Sequence, residues 1–407
     1  MREMKDSGIE WIGDIPQNWQ LSKIGSLYTQ RNEKVSDKDY QPLSVTMQGI
    51  LPQLATAAKT DDGDNRKLVR VGDFAINSRS DRRGSCGISP LDGSVSLINI
   101  ILTPRTAMHP GYYNWLFHTT LFADEFYKWG HGIVADLWTT RWQEMKSITV
   151  PVPEYAEQER IAAFLDAECA EINAVLEKTR ASIEEYKKLK QAVIMQAVTK
   201  GVRGDRPMKN SGIEWIGEIS QDFEIVKLKW LCDILDQFRS PVTADKRNQN
   251  ADVLYDYYGA SGAIDKIDSY TIDDHVMLIG EDGANLRMRN LPIMYEINGK
   301  AWINNHAHIL RPKEGVDFHF VFYALEALDL NYYITGSAQP KLSQDNLRNI
   351  WIPITDFSEQ KRIAAYISDV CVGLDRLIAK KQQYLTEIEN YKKSLIYEYV
   401  TGKKEVV

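Results

Sequence analysis

Lys5–Leu27 reads KDSGIEWIGDIPQNWQLSKIGSL, and Lys209–Leu231, 204 residues further on, reads KNSGIEWIGEISQDFEIVKLKWL. The heptapeptide SGIEWIG is identical in the two. A second pair stands near the end of each half: Glu157–Leu165 is EQERIAAFL and Glu359–Ile367 is EQKRIAAYI, 202 residues apart. Two matches in the same order at nearly the same offset make the chain a tandem duplication of about 200 residues per copy. Between the matches only a skeleton persists. VRVGDFAINSRSDRRGSCG (69–87) follows the pattern of TIDDHVMLIGEDGANLRMR (271–289), and SLINIILTPR (96–105) that of WINNHAHILRP (302–312). A shared frame around two divergent inserts fits one scaffold carrying two different readers. The competing reading is a duplication that has drifted without consequence.

The second match opens a long helix in each half. Glu157–Thr199 contains neither Gly nor Pro, and its apolar positions run in 3-4 spacing from Cys169 through Ile172, Leu176 and Ile183 to Ala197. Adding 202 gives Cys371, Leu374, Ile378, Leu385 and Tyr399, with lysines at Lys190 and Lys392 in the same register. Such a seam predicts helices that pack as a coiled coil. A helix of this length is roughly 65 Å long. Pro151, Pro153 and Pro353 are expected to stop the strands before the helices, and Ser358 to cap the second. The boundaries that follow are a first domain at 1–150, a first long helix at 151–200, a linker at 201–208, a second domain at 209–354 and a second long helix at 355–407.

The inserts read as mixed α/β. VRVGDFAI, SLINIIL, VMLIG and AHILRP are expected strands, and 112–129 and 317–334 are expected helices. In the first insert the densest polar run is Asn77-Ser78-Arg79-Ser80-Asp81-Arg82-Arg83-Gly84-Ser85. Arginine forks suit guanine O6 and N7 or phosphate, and serine suits phosphate or base edges. A solvated, charged turn is the plainer reading. The second insert offers Tyr257, Tyr258 and Ser261 in YYGASG, then Glu281, Asp282, Asn285, Arg287 and Arg289, then Asn304, Asn305, His306 and His308, with Lys341 beyond. Glu281 or Asp282 could accept from cytosine N4. His306 and His308 form one H-x-H without a third ligand at motif spacing, so no metal site is expected. The adjacent carboxylates of Glu281 and Asp282 read more simply as a hydrated turn than as an acid–base pair.

The 407 residues hold 43% hydrophobic and 26% charged side chains, an ordinary globular mixture. The net charge of −7 taken alone argues against a nucleic-acid binder, though a basic cleft can sit on an acidic body. Four widely spaced cysteines (Cys86, Cys169, Cys232, Cys371) make a zinc site or disulfide framework improbable and point to a reducing cytoplasm. No run approaches the roughly 20 apolar residues of a membrane span, and the N-terminus lacks a signal-peptide core. There is no GxxxxGK[ST] loop, no (D/N)PP(Y/F) tetrapeptide and no GxGxxG after a strand. The two E-x-K triplets, at Glu144–Lys146 and Glu359–Lys361, lack the upstream Pro-Asp of a nuclease. No catalytic residue is therefore expected.

The frame as a whole resembles the specificity subunit of type I restriction-modification systems. SGIEWIG opens each half, a divergent insert follows, and an EQxRIAxx exit leads into a long helix ending in AVTKG or YVTGK. Asn285, YYGASG and NNHAH also look like patterns of that family's recognition inserts. The first insert lacks a YYGASG equivalent; Ser44-Val45-Thr46 takes its place, which makes Ser44 and Thr46 candidate contacts. The resemblance implies an α/β (α+β) fold with two target recognition domains separated by two helices in an antiparallel coiled coil, related by a pseudo-two-fold. It implies that each domain reads half of a bipartite duplex DNA target and that the helices set the spacer. It implies no cofactor on this chain. Two modification subunits would carry S-adenosylmethionine and methylate adenine, and restriction subunits would bring ATP and Mg. Two rivals remain open: a coiled-coil scaffold with no role on DNA, and a stand-alone DNA-modifying enzyme.

Overall fold

The computed structural model describes residues 2–53, 63–132, 138–243 and 252–406. The chain divides into two compact units, Met1–Arg180 with Gln383–Val407, and Ala181–Gln382. The division runs through both long helices, Tyr155–Lys200 and Phe357–Val400, rather than at the linker between the halves.

Each unit opens on the same hairpin. Met4–Asp6 pairs antiparallel with Asp14–Pro16, and Met208–Asn210 with Glu218–Ser220. The identity of SGIEWIG has a backbone cause. Gly8 and Gly13 have φ of +67° and +66°, and Gly212 and Gly217 have +75° and +71°, a region that costs other residues strain. The EQ pair of the second match has a polar cause. Gln158 accepts from the His109 N–H at 2.8 Å and donates to Pro153 O at 2.8 Å; Gln360 accepts from the Asp317 N–H at 2.8 Å and donates to Thr355 O at 2.7 Å. Each glutamine thus joins its long helix to the start of an insert helix, Pro110–Phe117 or Phe318–Ala327. The neighbouring Glu157 pairs with Arg2 and accepts from Trp19 Nε1, while Glu359 pairs with Arg206, which stands 204 residues after Arg2.

The first insert builds a four-stranded antiparallel sheet in the order Cys86–Ile88, Phe74–Asn77, Asn99–Pro104, Tyr28–Arg31. One of its faces packs on a buried aromatic cluster that includes Tyr28, Phe74, Tyr113, Phe117 and Phe122. The hairpin Leu43–Thr46/Gly49–Pro52 lies beside it. The second insert builds a six-stranded sheet: Cys232–Ile234, Ala307–Pro312, Ile272–Gly280, Met294–Ile303, Tyr255–Gly259, Gly262–Ile267. Only Tyr255–Gly259 against Met294–Ile303 is parallel.

Both units contain a stretch of antiparallel helix pairing. In the first, Phe164 meets Tyr399 with ring centroids 4.4 Å apart, Lys392 donates to Asn173 at 2.7 Å and Arg180 pairs with Glu389 at 2.7 Å. In the second, Lys190 pairs with Asp375 at 2.7 Å and Lys381 lies over Tyr186. Asn173 and Asp375 are 202 residues apart, like Lys190 and Lys392, so the seam lysines bond equivalent positions in the two units. A polar pair placed within an apolar seam pins its register.

Several local expectations are corrected. Ser358 lies inside the second helix; Asp356 is the cap, its Oδ1 accepting from the N–H groups of Ser358 and Glu359 at 3.1 and 3.0 Å. Pro151 and Pro353 sit within the strands Thr149–Val152 and Trp351–Ile354, which among the described residues each pair with one neighbour, so the missing N–H costs no ladder bond. The stretch 112–129 is two helices, Pro110–Phe117 and Thr120–Lys128, because Thr119 caps the second through the Phe122 N–H. The stretch 317–334 is helical only over Phe318–Ala327. VRVGDFAI is broken at Gly72, where φ is +87°. All four cysteines are buried and free, and burial pushes the Cys86 and Cys232 thiols up to about 12.

Candidate nucleic-acid interface

The strands Phe74–Asn77 and Ile272–Gly280 hold the same place in their sheets. The first pairs with Asn99–Pro104, which pairs with Tyr28–Arg31. The second pairs with Ala307–Pro312, which pairs with Cys232–Ile234. The polar runs 78–85 and 281–289 leave these strands at one topological position, as the skeleton match predicts. Their chemistry differs.

In the first insert Asn77 Oδ1 accepts the Arg79 N–H at 3.0 Å and the buried Ser78 hydroxyl donates to Ile98 O. These bonds shape the chain into the 3-10 turn Ser80–Arg82, capped at Arg79. The Ser80 side chain lies outside the described residues. Arg79, Arg82 and Arg83 are exposed. Arg82 approaches Asp81 at 3.6 Å and Arg83 pairs with Asp124. The Arg79 guanidinium has no partner among the described residues. Three guanidinium groups on one exposed turn can bind phosphate or a base edge. Ser44 and Thr46 stand in the neighbouring hairpin. The Thr46 hydroxyl donates to Gly49 O at 2.9 Å and accepts from the Gln48 N–H at 3.1 Å, so it closes the turn.

The second insert assembles a charged network around Glu281. Its carboxylate pairs with Arg239 and, at 3.0 Å, with Lys341. His308 is fully buried between Asp236 Oδ2 at 2.6 Å and Leu342 O at 2.8 Å. Asp236 also accepts from Gln344 Nε2 at 2.9 Å and from the Ile309 N–H at 3.1 Å. Burial works to raise the Asp236 carboxyl, but His308 and the other donors hold it below the usual carboxylate range. Burial likewise opposes ionisation of Glu281, and Arg239, Lys341 and His308 reverse the balance. Asp236 and Glu281 thus share Arg239 and His308, which ties the segments around 236–239, 281, 308 and 341–344 together. The two carboxylates are not arranged as an acid–base pair.

His306 is exposed and its Nδ1 meets Asp282 Oδ2 at 2.8 Å. The two histidines of H-x-H therefore have separate environments. Among the described residues no group of three or more His, Cys, Asp or Glu is arranged to hold a metal ion. Asn304 is buried and accepts the His306 N–H at 2.7 Å, while Asn305 is exposed. Tyr257 is buried, Tyr258 is half-buried, and Ser261 is exposed at the turn of its hairpin. YYGASG and Ser44-Val45-Thr46 thus both belong to hairpins. Asn285 bonds Leu291 O, Pro292 O and the Leu291 N–H. Arg287 donates to Ile334 O at 3.0 Å, and Arg289 to Glu326 O and Leu328 O at 2.8 and 3.0 Å. These three side chains fasten the loop 281–289 to the body of the domain. Beside this loop, Asp282 adjoins the exposed Asn305, His306 and Lys341 of neighbouring segments.

Sequence reasoning missed Asp236, Arg239 and Gln344, which complete the network. D-x-x-R at 236–239 is a weak local pattern, and Gln344 lies 108 residues from its partner. No spacing rule links them.

Residues 220–390 match the family of the type I restriction modification DNA specificity domain. A putative type I restriction enzyme specificity subunit of Haemophilus influenzae is 28% identical over 159 residues, which is 39% of this chain and 37% of that protein. The MjaVIII specificity subunit of Methanocaldococcus jannaschii is 27% identical over 282 residues, 64% of this chain and 63% of the relative. The chain thus spans between 37% and 63% of the length of these relatives. A chain from a study of complex assembly and conformational transition of the type I R-M system has the same fold, with a TM-score of 0.72 at 14% identity over 96% of this chain and 99% of that one. The HsdS subunit of Thermoanaerobacter tengcongensis matches at a TM-score of 0.50 and 17% identity, over 96% and 98% of the two chains. By its duplicated frame, its paired long helices and the specificity-domain match over residues 220–390, this chain is similar to type I restriction-modification specificity subunits.

Proposed function

We propose that this chain supplies the DNA sequence specificity of a type I restriction-modification complex, each insert reading one half of a bipartite duplex target. The observation that carries this reading is the pair of polar loops at one topological position, one rich in arginine and the other presenting Asp282 beside His306 and Lys341 of neighbouring segments. One position with two chemistries is what two different half-sites require. The chain acts without catalysis of its own. Two modification subunits bring S-adenosylmethionine and transfer the methyl group, and restriction subunits bring ATP and Mg. The acidic total of −7 is met by partners sharing the phosphate contacts.

A repeated apolar patch supports two copies of one partner. Val175 and Leu189 on the first long helix are 40% and 48% exposed, and Leu377 and Tyr391, each 202 residues later, are 44% and 54% exposed. The register of Asn173 with Lys392 sets Val175 alongside Tyr391 in the first unit, and that of Lys190 with Asp375 sets Leu189 alongside Leu377 in the second. Each unit thus carries one such patch, opposite in heptad position to the Arg180–Glu389 pair.

Three outcomes test the reading. Exchange of residues 28–140 for the insert of another family member is expected to change one half-site in the methylome of a strain expressing the complex, and a change in both would refute independent reading. Replacement of Arg79, Arg82 and Arg83 together by alanine is expected to weaken the first half-site alone, by about 1–3 kcal/mol for each bidentate arginine–base pair removed. Unchanged methylation in a footprint and kinetic assay would remove this loop from the interface. A heptad added to both long helices preserves the seam and lengthens each by about 10 Å. The non-specific gap between half-sites is then expected to grow by roughly two to three base pairs, at about 3.4 Å per pair.

A further inference from the structure

A cavity of about 380 Å³ opens beneath the arginine turn of the first insert. Among the described residues it is lined by three cations, Lys67, Arg79 and Arg141, and by no carboxylate. In a chain with a net charge of −7, such a concentration of one sign in one hollow is a local reversal. The three come from separate elements. Lys67 is on the strand Arg66–Val69, Arg79 ends the central strand's exit, and Arg141 precedes the short helix Trp142–Met145. Lys67 is half-buried and its Nζ donates to Asn99 O at 2.7 Å, which leaves two of its N–H groups for another acceptor. Burial presses the Lys67 ammonium below its usual range, as expected for a cation lacking a counter-charge.

The rest of the wall has a different character. Trp142 offers a half-buried indole, and Leu97 is an exposed aliphatic side chain on the same cavity. Asn99 also lines it, is 4% exposed, and its Oδ1 has no hydrogen-bond partner among the described residues. A buried acceptor left unpaired is costly, and a donor from outside the chain removes the cost. Cations for an anion, an aromatic and aliphatic wall for a flat ring, and an acceptor awaiting an N–H describe a nucleotide with an amino-bearing base.

We propose that this cavity binds a single nucleotide, its phosphate held by Lys67, Arg79 and Arg141 and its adenine or cytosine ring set against Trp142 and Leu97. The nucleotide has two possible sources: a free mononucleotide, or a residue turned out of a DNA strand. Mononucleotide binding does not depend on the reading of a duplex sequence, so the two proposals fail separately.

The full chain is titrated with AMP, CMP, IMP and ribose 5-phosphate by calorimetry, with Trp142 fluorescence as a second signal. In a parallel arm the complex is titrated with duplexes carrying 2-aminopurine beside an adenine, whose emission rises when that neighbour leaves the stack. Arg141→Gln is the main variant, because the Arg141 side chain is exposed and the substitution keeps the backbone N–H that donates to Glu144. Removing one charge-assisted hydrogen bond is expected to weaken binding about tenfold or more. Saturable AMP binding, weakened in Arg141→Gln and stronger than IMP, supports the proposal with a free nucleotide as the source. Absent AMP binding, with a rise in 2-aminopurine emission that Arg141→Gln abolishes, supports it with a DNA residue as the source. Ribose 5-phosphate binding as tightly as AMP overturns the base recognition and with it the proposal, and so does silence in both arms. Retained half-site methylation in Arg141→Gln leaves the specificity reading intact in either case.

Discussion

Phe117→Ala is expected to destabilise the first unit by about 3–5 kcal/mol, the range for removing a large ring from a packed core. Phe117 is 1% exposed and lies at the centre of the aromatic cluster. Its ring centroid is 4.4 Å from Phe74, 4.7 Å from Phe122, 5.9 Å from Tyr113 and 6.1 Å from Tyr28. Those neighbours come from the sheet and from both insert helices, so the cavity cannot close without moving all three. The rings are themselves wedged by further side chains, which limits collapse. Denaturant unfolding of the full chain, followed by tryptophan fluorescence, should show an early transition for this variant. Val71→Ala, at a side chain that is 64% exposed, should leave it unmoved. A shift below about 1 kcal/mol for Phe117→Ala would mean that the cluster is not the core it looks to be. The effect matters for function because the Phe74–Asn77 strand delivers the arginine turn.

Glu359→Ala is expected to cost the second unit about 3–5 kcal/mol, because it strands buried charge. Glu359 is 2% exposed and is bonded by Arg206 and Arg362, with Arg203 at 3.4 Å. Arg362 and Arg203 are exposed enough to turn to water, whereas the Arg206 side chain is only 11% exposed. Its uncompensated charge carries most of the cost. Glu359→Gln keeps one acceptor and should lose less. Pairing Glu359→Ala with Arg206→Leu should recover part of the loss, and the coupling in that cycle measures the pair. Additive losses would show that Arg206 finds other partners. The first unit makes the same connection with Arg2, Glu157 and Trp19, so Glu157→Ala is the natural comparison.

The duplication, the two long helices and the position of the polar loops are legible in the chain alone, because each rests on short-range rules. SGIEWIG repeats because two of its glycines must take positive φ, and such a demand is local. A 3-4 seam from Cys169 to Ala197, repeated from Cys371 to Tyr399, leaves few alternatives to a paired helix. The equivalence of 69–87 with 271–289 is legible because both contain a central strand and the turn that leaves it.

What the loop residues do is settled by the folded chain. Asn285, Arg287 and Arg289 look like a polar reading surface in the sequence, but their heads bond backbone carbonyls up to 47 residues away. Glu281 and Asp282 are adjacent in the chain, yet one is held among Arg239, Lys341 and His308 and the other by His306. The cations of the first insert's cavity come from three separate elements. A polar group's role is set by which donor or acceptor stands within about 3 Å of it. Chain spacing does not encode that distance once the partner lies on another strand.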